Sequence, residues 1–592
     1  MMGRVGIEYN HRNSIGWIGR GVLTGECPRR AWRERHERQS PKGLVAGLDI
    51  AVPDRVEYLM PFVGTEDDGV IALGDVGEET VDGRDHAKTR VMGGDEGEFF
   101  DPIGDRGEAS VILAQRPRRD RKVHVPDTEL PDGGPGKVDV SDRRRIKRTG
   151  IHGTAKIGWF VAHGPRLAIV GEWRSVIRHR EVIVSRSPFL HPFARPAAAA
   201  EDFITITRGE GALVWDDHDN EYVDAMASLW YCNVGHGRWE IVDQVASQMA
   251  VLENFHTFDI FTNETAETLA AFIAAAAPMD DCRIFFTSSG SEAVETALKL
   301  ARLTHSMKGN PERNEFVGRE VSYHGVAYGG VSVQGLPLNQ QGFGPLLDTV
   351  HRVSAHDITE IEELFDRSGS KIAAVITEPV QGAGGVFPPV EGYLRRLREL
   401  CDDAGVLLIF DEVITGFGRL GSWFAASHYG VIPDMITFAK GCTSGYLPLG
   451  GVVVGEAVLD VLEADPEFVL RHGYTYSGHT SACAAGLANA AILLEEDLFL
   501  RVPAIAERIG GGLERLASDG LIAEARGVGG IWSAQLVPEL SAPLVRNEMM
   551  RRGVISRPIG TSIIAFCPPL VTTDAQLDRC VAALRESITA LS

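Results

Sequence analysis

From Arg283 onward the chain repeats one pattern: a short run of consecutive apolar residues, then a longer stretch with helical period. Arg283–Phe286 precedes a helix over Ser291–Thr304, and Ile372–Thr377 precedes one over Tyr393–Ala404. Val406–Phe410 and Met435–Phe438 are two further runs. Strands apolar at every position have to be covered on both faces. The pattern therefore predicts an α/β fold with a mostly parallel, doubly wound sheet. Upstream, GALVWDDHDNEYVDAMASLW predicts two short strands around a turn at Asp219-Asn220, residue types that tolerate left-handed backbone. Helices are expected over Glu240–Leu252 and Glu264–Ala277, and a smaller mixed α+β portion over Val502–Ser592.

The first part of the chain is different in kind. Residues 1–195 carry 32 Lys+Arg and 29 Asp+Glu, a balance of +3; the other residues carry 27 and 52, a balance of −25. Residues 1–185 are rich in Gly, Asp and Arg and lack a sustained apolar period, so they are expected to be a disordered extension or to lie upstream of a working start near Ile183–His191. Ile157–Val161 and Leu167–Val170 read as isolated strands, and the basic run at 143–148 as a solvated charge run or a nucleic-acid patch. An acidic body repels a phosphate backbone, so no nucleic-acid partner is expected. No apolar run reaches 18 residues, which argues against a membrane span. The eight cysteines show no C-x-x-C spacing, which fits a reducing cytoplasm and no structural metal.

Ligands of such sheets sit at the carboxyl ends of the strands, so the residues just after each apolar run carry the functional argument. After Phe286 comes Thr287-Ser288-Ser289-Gly290-Ser291, opening a helix. Small hydroxyl residues there either hold a phosphate on free N–H groups or simply cap the helix through Ser289. After Phe410 comes Asp411. A carboxylate at the end of a buried strand needs a partner; it is either a counter-ion for a buried cation or a cap for the next turn. After Phe438 comes Ala439-Lys440-Gly441. A Lys among small residues is either a surface cation or a desolvated nucleophile. Taken together, the three are the protein parts that pyridoxal 5′-phosphate (PLP) needs: a phosphate cradle, an acid for the ring nitrogen and a Schiff-base lysine.

With these residues in view, the sequence resembles the class III, or omega-type, PLP-dependent aminotransferases, and most of all their amine:pyruvate and β-alanine:pyruvate members. The resemblance runs from about Pro192 to Leu584 and is carried by SLWYCNVGHGR, FFTSSGSEAVETALKLAR, YHG at Tyr323, TEPVQGAGGV, LLIFDEVITGFGRLG, TFAKG, HGYTYSGH and CPPLVTT. It implies a PLP-dependent transferase type I fold. The small domain would combine residues 186–255 and 496–592, and the large PLP-binding domain residues 256–495. It also implies a homodimer or dimer of dimers with sites at the interface.

By resemblance, Ser289, Gly290 and Ser291 hold the phosphate. Tyr323 and Val413 take the two ring faces, Glu378 the ring hydroxyl side and Asp411 the ring nitrogen. Lys440 carries the cofactor, and Thr475 reaches the phosphate in the other subunit. Trp230 and Tyr323 wall the substrate pocket, and Arg557 clamps a substrate carboxylate. Trp230 as core and Arg557 as a structural ion pair are the plainer readings. His236 and His324 are read as structural.

The implied reaction moves an amino group from an amine or omega-amino acid to a keto acid, pyruvate first, with small molecules as the only partners besides the second subunit. The alternatives are a 4-aminobutyrate or diamine:2-oxoglutarate aminotransferase and a non-catalytic PLP-binding regulatory module.

Overall fold

The computed structural model describes residues 187–592. The expectations for residues 1–185, including the two isolated strands and the basic run, lie outside the described residues.

The described chain begins with three antiparallel strands, β1 (Ile206–Glu210), β2 (Leu213–Asp216) and β3 (Glu221–Asp224). Asp219 takes the left-handed conformation its turn requires, at φ 61°. Helices α1 (Trp239–Val251) and α2 (Glu264–Ala276) follow, close to the expected bounds. Asn263 caps α2 by accepting from Ala266 N–H at 2.8 Å.

The central sheet is built from β4 (Arg283–Thr287), α3 (Gly290–Met307), β5 (Glu315–Arg319), β6 (Val350–Val353), β7 (Ile372–Thr377), α4 (Tyr393–Ala404), β8 (Leu407–Asp411), α5 (Ala425–Tyr429), β9 (Met435–Phe438) and β10 (Gly450–Val454). Its seven strands run in the order β4-β10-β9-β8-β7-β5-β6. The five from β9 to β6 are parallel, and only β10 runs against its neighbours. Strands β7 to β10 are buried at every residue, as fully covered strands must be. Three strands, β5, β6 and β10, were not anticipated. Charged residues interrupt β5 and β6, and β10 opens on two glycines, so none reads as a plain apolar run.

After the long helix α6 (Thr480–Glu495), strands β11 (Glu524–Val528) and β12 (Ile531–Gln535) lead to α7 (Ala542–Arg551). They are followed by β13 (Val554–Ile555), β14 (Arg557–Ile559), β15 (Ile563–Phe566) and α8 (Asp574–Leu591). Strands β11, β12, β15 and β14 form an antiparallel sheet. β13 pairs parallel with β3, so the two ends of the described chain share one sheet. This smaller α+β portion completes the α/β fold read from the sequence. The seven described cysteines are buried and unpaired, and no described helix is long and apolar enough to cross a membrane.

Candidate active site

Parallel strands bring their carboxyl ends to one edge of the sheet. The segments leaving β4, β5, β7, β8 and β9 supply Ser289, Tyr323, Glu378, Asp411 and Lys440 respectively. Several of these turns are strained. Val321, Phe417, Lys440 and Ser444 have φ between 49° and 58°, or 46° for Lys440, without being glycine, a conformation kept only where surrounding contacts enforce it.

Asp411 is buried and ligated on both oxygens. Oδ2 accepts from His324 Nδ1–H at 2.8 Å. Oδ1 accepts from Thr437 Oγ1–H and from Val413 N–H, each at 3.2 Å. The second of these is the turn-capping bond considered for this residue. His324 therefore does more than fix its loop: it holds the acid, and its buried Nε2 has no protein partner among the described residues. Glu378 is also buried. Its carboxyl accepts from Tyr323 N–H at 2.8 Å and Gly382 N–H at 2.9 Å. Burial pushes its pKa up to about 7, with neighbouring Asp411 adding to the rise and His324 opposing it.

The amine of Lys440 is pulled below the ordinary lysine range by its enclosed setting, against the opposing pull of Asp411 and Glu378. Burial raises the Tyr323 phenol, and Asp411 raises it further. Arg557 feels Tyr323 and Arg546, and packing along one side lowers its pKa. These mutual effects place Lys440, Asp411, Glu378, Tyr323 and Arg557 in one electrostatic neighbourhood. Arg557 is solvent-exposed and, among the described residues, has no ion pair or side-chain hydrogen bond, unlike the structural ion pair considered for it.

At the start of α3, Ser289 is the helix cap: its Oγ accepts from Glu292 N–H at 3.2 Å, and Glu292 accepts from Ser288 N–H at 2.7 Å. The first N–H groups of the helix have no intrahelical partner, and the hydroxyl of Ser289 keeps its proton to donate. Capping and phosphate holding are thus compatible. The surroundings leave no space for a side chain here. A Cβ on Gly290 would lie 2.9 Å from Val413 Cγ1 and Cγ2, and one on Gly325, at φ 92°, would lie 2.5 Å from Ser291 Oγ. An anion cradle kept close by Gly290 and Gly325, a doubly held acid and an enclosed amine with lowered basicity fit PLP on three separate counts.

Trp230 is buried in a cluster with Ile414, Ala425 and Cys567. Thr475 sits on an exposed turn and makes no hydrogen bond to these site residues among the described residues. The turn is anchored next to the α3 cradle, where Tyr474 O–H donates to Glu292 O at 3.2 Å. His236 is structural, as read, and pairs with Asp224.

The residues that hold the turns after β9 and β8 were missed. Asn489 on α6 donates to Gly441 O at 2.9 Å and Cys442 O at 3.1 Å, and accepts from Ser444 Oγ–H at 2.6 Å. Asn233 donates to Phe417 O at 2.9 Å and accepts from Arg419. Asn489 belongs to no local pattern that marks it, and Asn233 lies within SLWYCNVGHGR but has no role assigned there. His324 had a signal in YHG, directly beside Tyr323.

Residues 196–588 match the family model for class-III aminotransferases. The chain belongs to that family. It is 37% identical over 412 residues to putrescine–pyruvate aminotransferase of Pseudomonas aeruginosa, covering 65% of this chain and 90% of that protein. It is 35% identical to β-alanine–pyruvate aminotransferase of the same organism, covering 68% of this chain and 95% of the relative. A solved PLP-bound amine transaminase from an uncultivated Pseudomonas species superposes with a TM-score of 0.66 at 35% identity, over 69% of this chain and all of that one. This class-III aminotransferase is a PLP-dependent transaminase, and its sheet is that of the type I fold.

Proposed function

We propose that this aminotransferase moves an amino group from an amine or omega-amino acid to pyruvate, with PLP carried on Lys440. The observation that supports it most is the convergence of Lys440, Asp411, Glu378 and Tyr323 beside an unpaired Arg557. The relatives named for pyruvate favour that acceptor.

PLP, when bound, supplies the electron sink for the negative charge that develops at the substrate α-carbon. The chain's own groups do the rest. Asp411, held by His324 and Thr437, would keep the cofactor's ring nitrogen protonated. Tyr323, Val413 and Glu378 would hold the cofactor ring. Ser289, Gly290 and Ser291 would hold the phosphate, joined by Thr475 from a second subunit. Lys440 Nζ, with its basicity already lowered, would take the proton from the substrate α-carbon and pass it on to a second carbon rather than back to the first. Trp230 and Tyr323 wall the pocket. Arg557 binds the carboxylate of the keto acid and, being unpaired, is free to step aside for an amine without one.

We assign residues 256–495 to the large domain, and residues 186–255 with 496–592 to the small one. The working form is a cytoplasmic homodimer, or a dimer of such dimers, with no nucleic-acid or membrane partner.

The test is visible absorbance of the loaded enzyme. β-Alanine, putrescine or 1-phenylethylamine should bleach the yellow band, and pyruvate should restore it. Restoration by 2-oxoglutarate but not pyruvate would replace the acceptor. A band that none of these amines bleaches would favour the non-catalytic module.

A further inference from the structure

Just beyond β3 the backbone takes a costly path. Ala227, Ser228 and Trp230 have φ of 45°, 59° and 68°, and none is glycine. Ser228 combines φ 59° with ψ −91°, well outside the left-handed region open to L-residues. A strained turn of this kind persists only where its surroundings over-determine it.

The group that holds it is the carboxylate of Asp224, the last residue of β3, only 2% exposed. Its Oδ1 accepts from Met226 N–H at 3.1 Å. Its Oδ2 accepts from Ser228 N–H at 2.6 Å and from His236 Nε2–H at 2.9 Å. The next residue ties this point to the site. Ala225 N–H donates to Ile555 O at 3.0 Å, two residues before Arg557, and Cys567 N–H donates to Ala225 O at 2.7 Å. Cys567 in turn packs in the cluster that contains Trp230. The end of β3 thus links the two: the Asp224 carboxylate holds the turn bearing Trp230, and the backbone of Ala225 beside it pairs with the strand leading to Arg557.

We propose that Asp224 is a positioning residue for the amine substrate. Its carboxylate locks the Ala227–Trp230 turn in a conformation the chain would not hold unaided, and so sets where the Trp230 wall stands relative to Arg557. This rests on the reading of Trp230 as a wall of the substrate pocket. Only a carboxylate suits the position: it offers acceptors to all three donors, whereas an amide turns its NH2 toward one of them.

The experiment compares the loaded wild-type enzyme with D224N, H236Q, W230F and the double variant D224N/S228G. The readout is the ratio of kcat/KM for bulky 1-phenylethylamine to that for small isopropylamine. D224N should lower kcat/KM for the bulky amine about 10- to 100-fold, the effect of losing a hydrogen bond to a buried charge, and should affect the small amine less. H236Q should act in the same direction but more weakly. Glycine reaches positive φ without help, so adding S228G should recover most of the D224N loss; a general loss of stability would not be repaired that way.

An unchanged ratio in D224N, or a loss that S228G does not repair, overturns the proposal. If D224N does not fold, as judged by near-ultraviolet circular dichroism, H236Q decides by the same ratio, because it leaves both backbone donors paired. An unchanged ratio in W230F removes the wall reading itself. A changed ratio in W230F beside an unchanged one in D224N removes the role of Asp224 alone.

Discussion

The contact between Gly290 and Val413 gives the most direct test of the cofactor cradle. In G290A the new Cβ would lie 2.9 Å from both Cγ atoms of Val413, about 0.5 Å inside ordinary van der Waals contact. Either Val413 turns toward the ring face it is proposed to cover, or the start of α3 shifts with its N–H groups. Overpacking of this kind costs about 1–3 kcal/mol, or about 5- to 150-fold in affinity when it falls on the bound state. Gly290 opens the helix and the clash with Val413 exists without cofactor, so the cofactor-free protein should lose up to about 3 kcal/mol of stability as PLP binding weakens. The assay is absorbance titration of the cofactor-free enzyme with PLP, beside urea unfolding of the same sample. V413A removes both clashing methyl groups, so G290A/V413A should bind PLP more tightly than G290A. Wild-type affinity in G290A, or a double variant no better than the single one, would refute the packing argument.

Glu412 is buried, accepts from Ala425 N–H, from Ala426 N–H at 2.9 Å and from Thr415 Oγ1–H at 3.0 Å, and has its pKa pushed by burial up to about 7. A carboxyl raised on folding stabilises fully below its unfolded value and loses that contribution as pH rises through 7. The loss is about 3 kcal/mol for this displacement, so urea midpoints should fall between pH 5 and pH 8, and less steeply in E412Q. R557A should raise KM for pyruvate roughly 10- to 100-fold, the scale of a charge-assisted pair, while bleaching by an amine without a carboxylate keeps its rate. N489A leaves the buried Gly441 and Cys442 carbonyls without their donor and should cost about 1–3 kcal/mol in urea unfolding.

Much of the site was legible because its residues stand next to the features that reveal the fold. Ser289, Asp411 and Lys440 each follow an apolar run, and a parallel sheet places its strand ends on one edge. The same logic could not find β10, whose Gly450 and Gly451 lie antiparallel between β4 and β9. Nor could it give His324 its role, because 87 residues separate it from Asp411. Asn489 was out of reach for the same reason: it holds the lysine turn from α6, while Asn233, on the segment after β3, fixes the turn after β8 at Phe417 and Arg419.

The sequence by itself determined the layered α/β fold and the family, and it put Asp411 and Lys440 forward as the acid and the amine. Periodicity and strand-end chemistry are local, and local pattern is what a linear chain displays. Tertiary structure decided which groups hold those residues in place. It paired Asp411 with His324, left Arg557 without a counter-ion among the described residues and gave Asp224 the strained turn at Ser228. Each of these depends on segments that meet only when the chain is folded, where burial turns an ordinary polar contact into one that fixes a conformation.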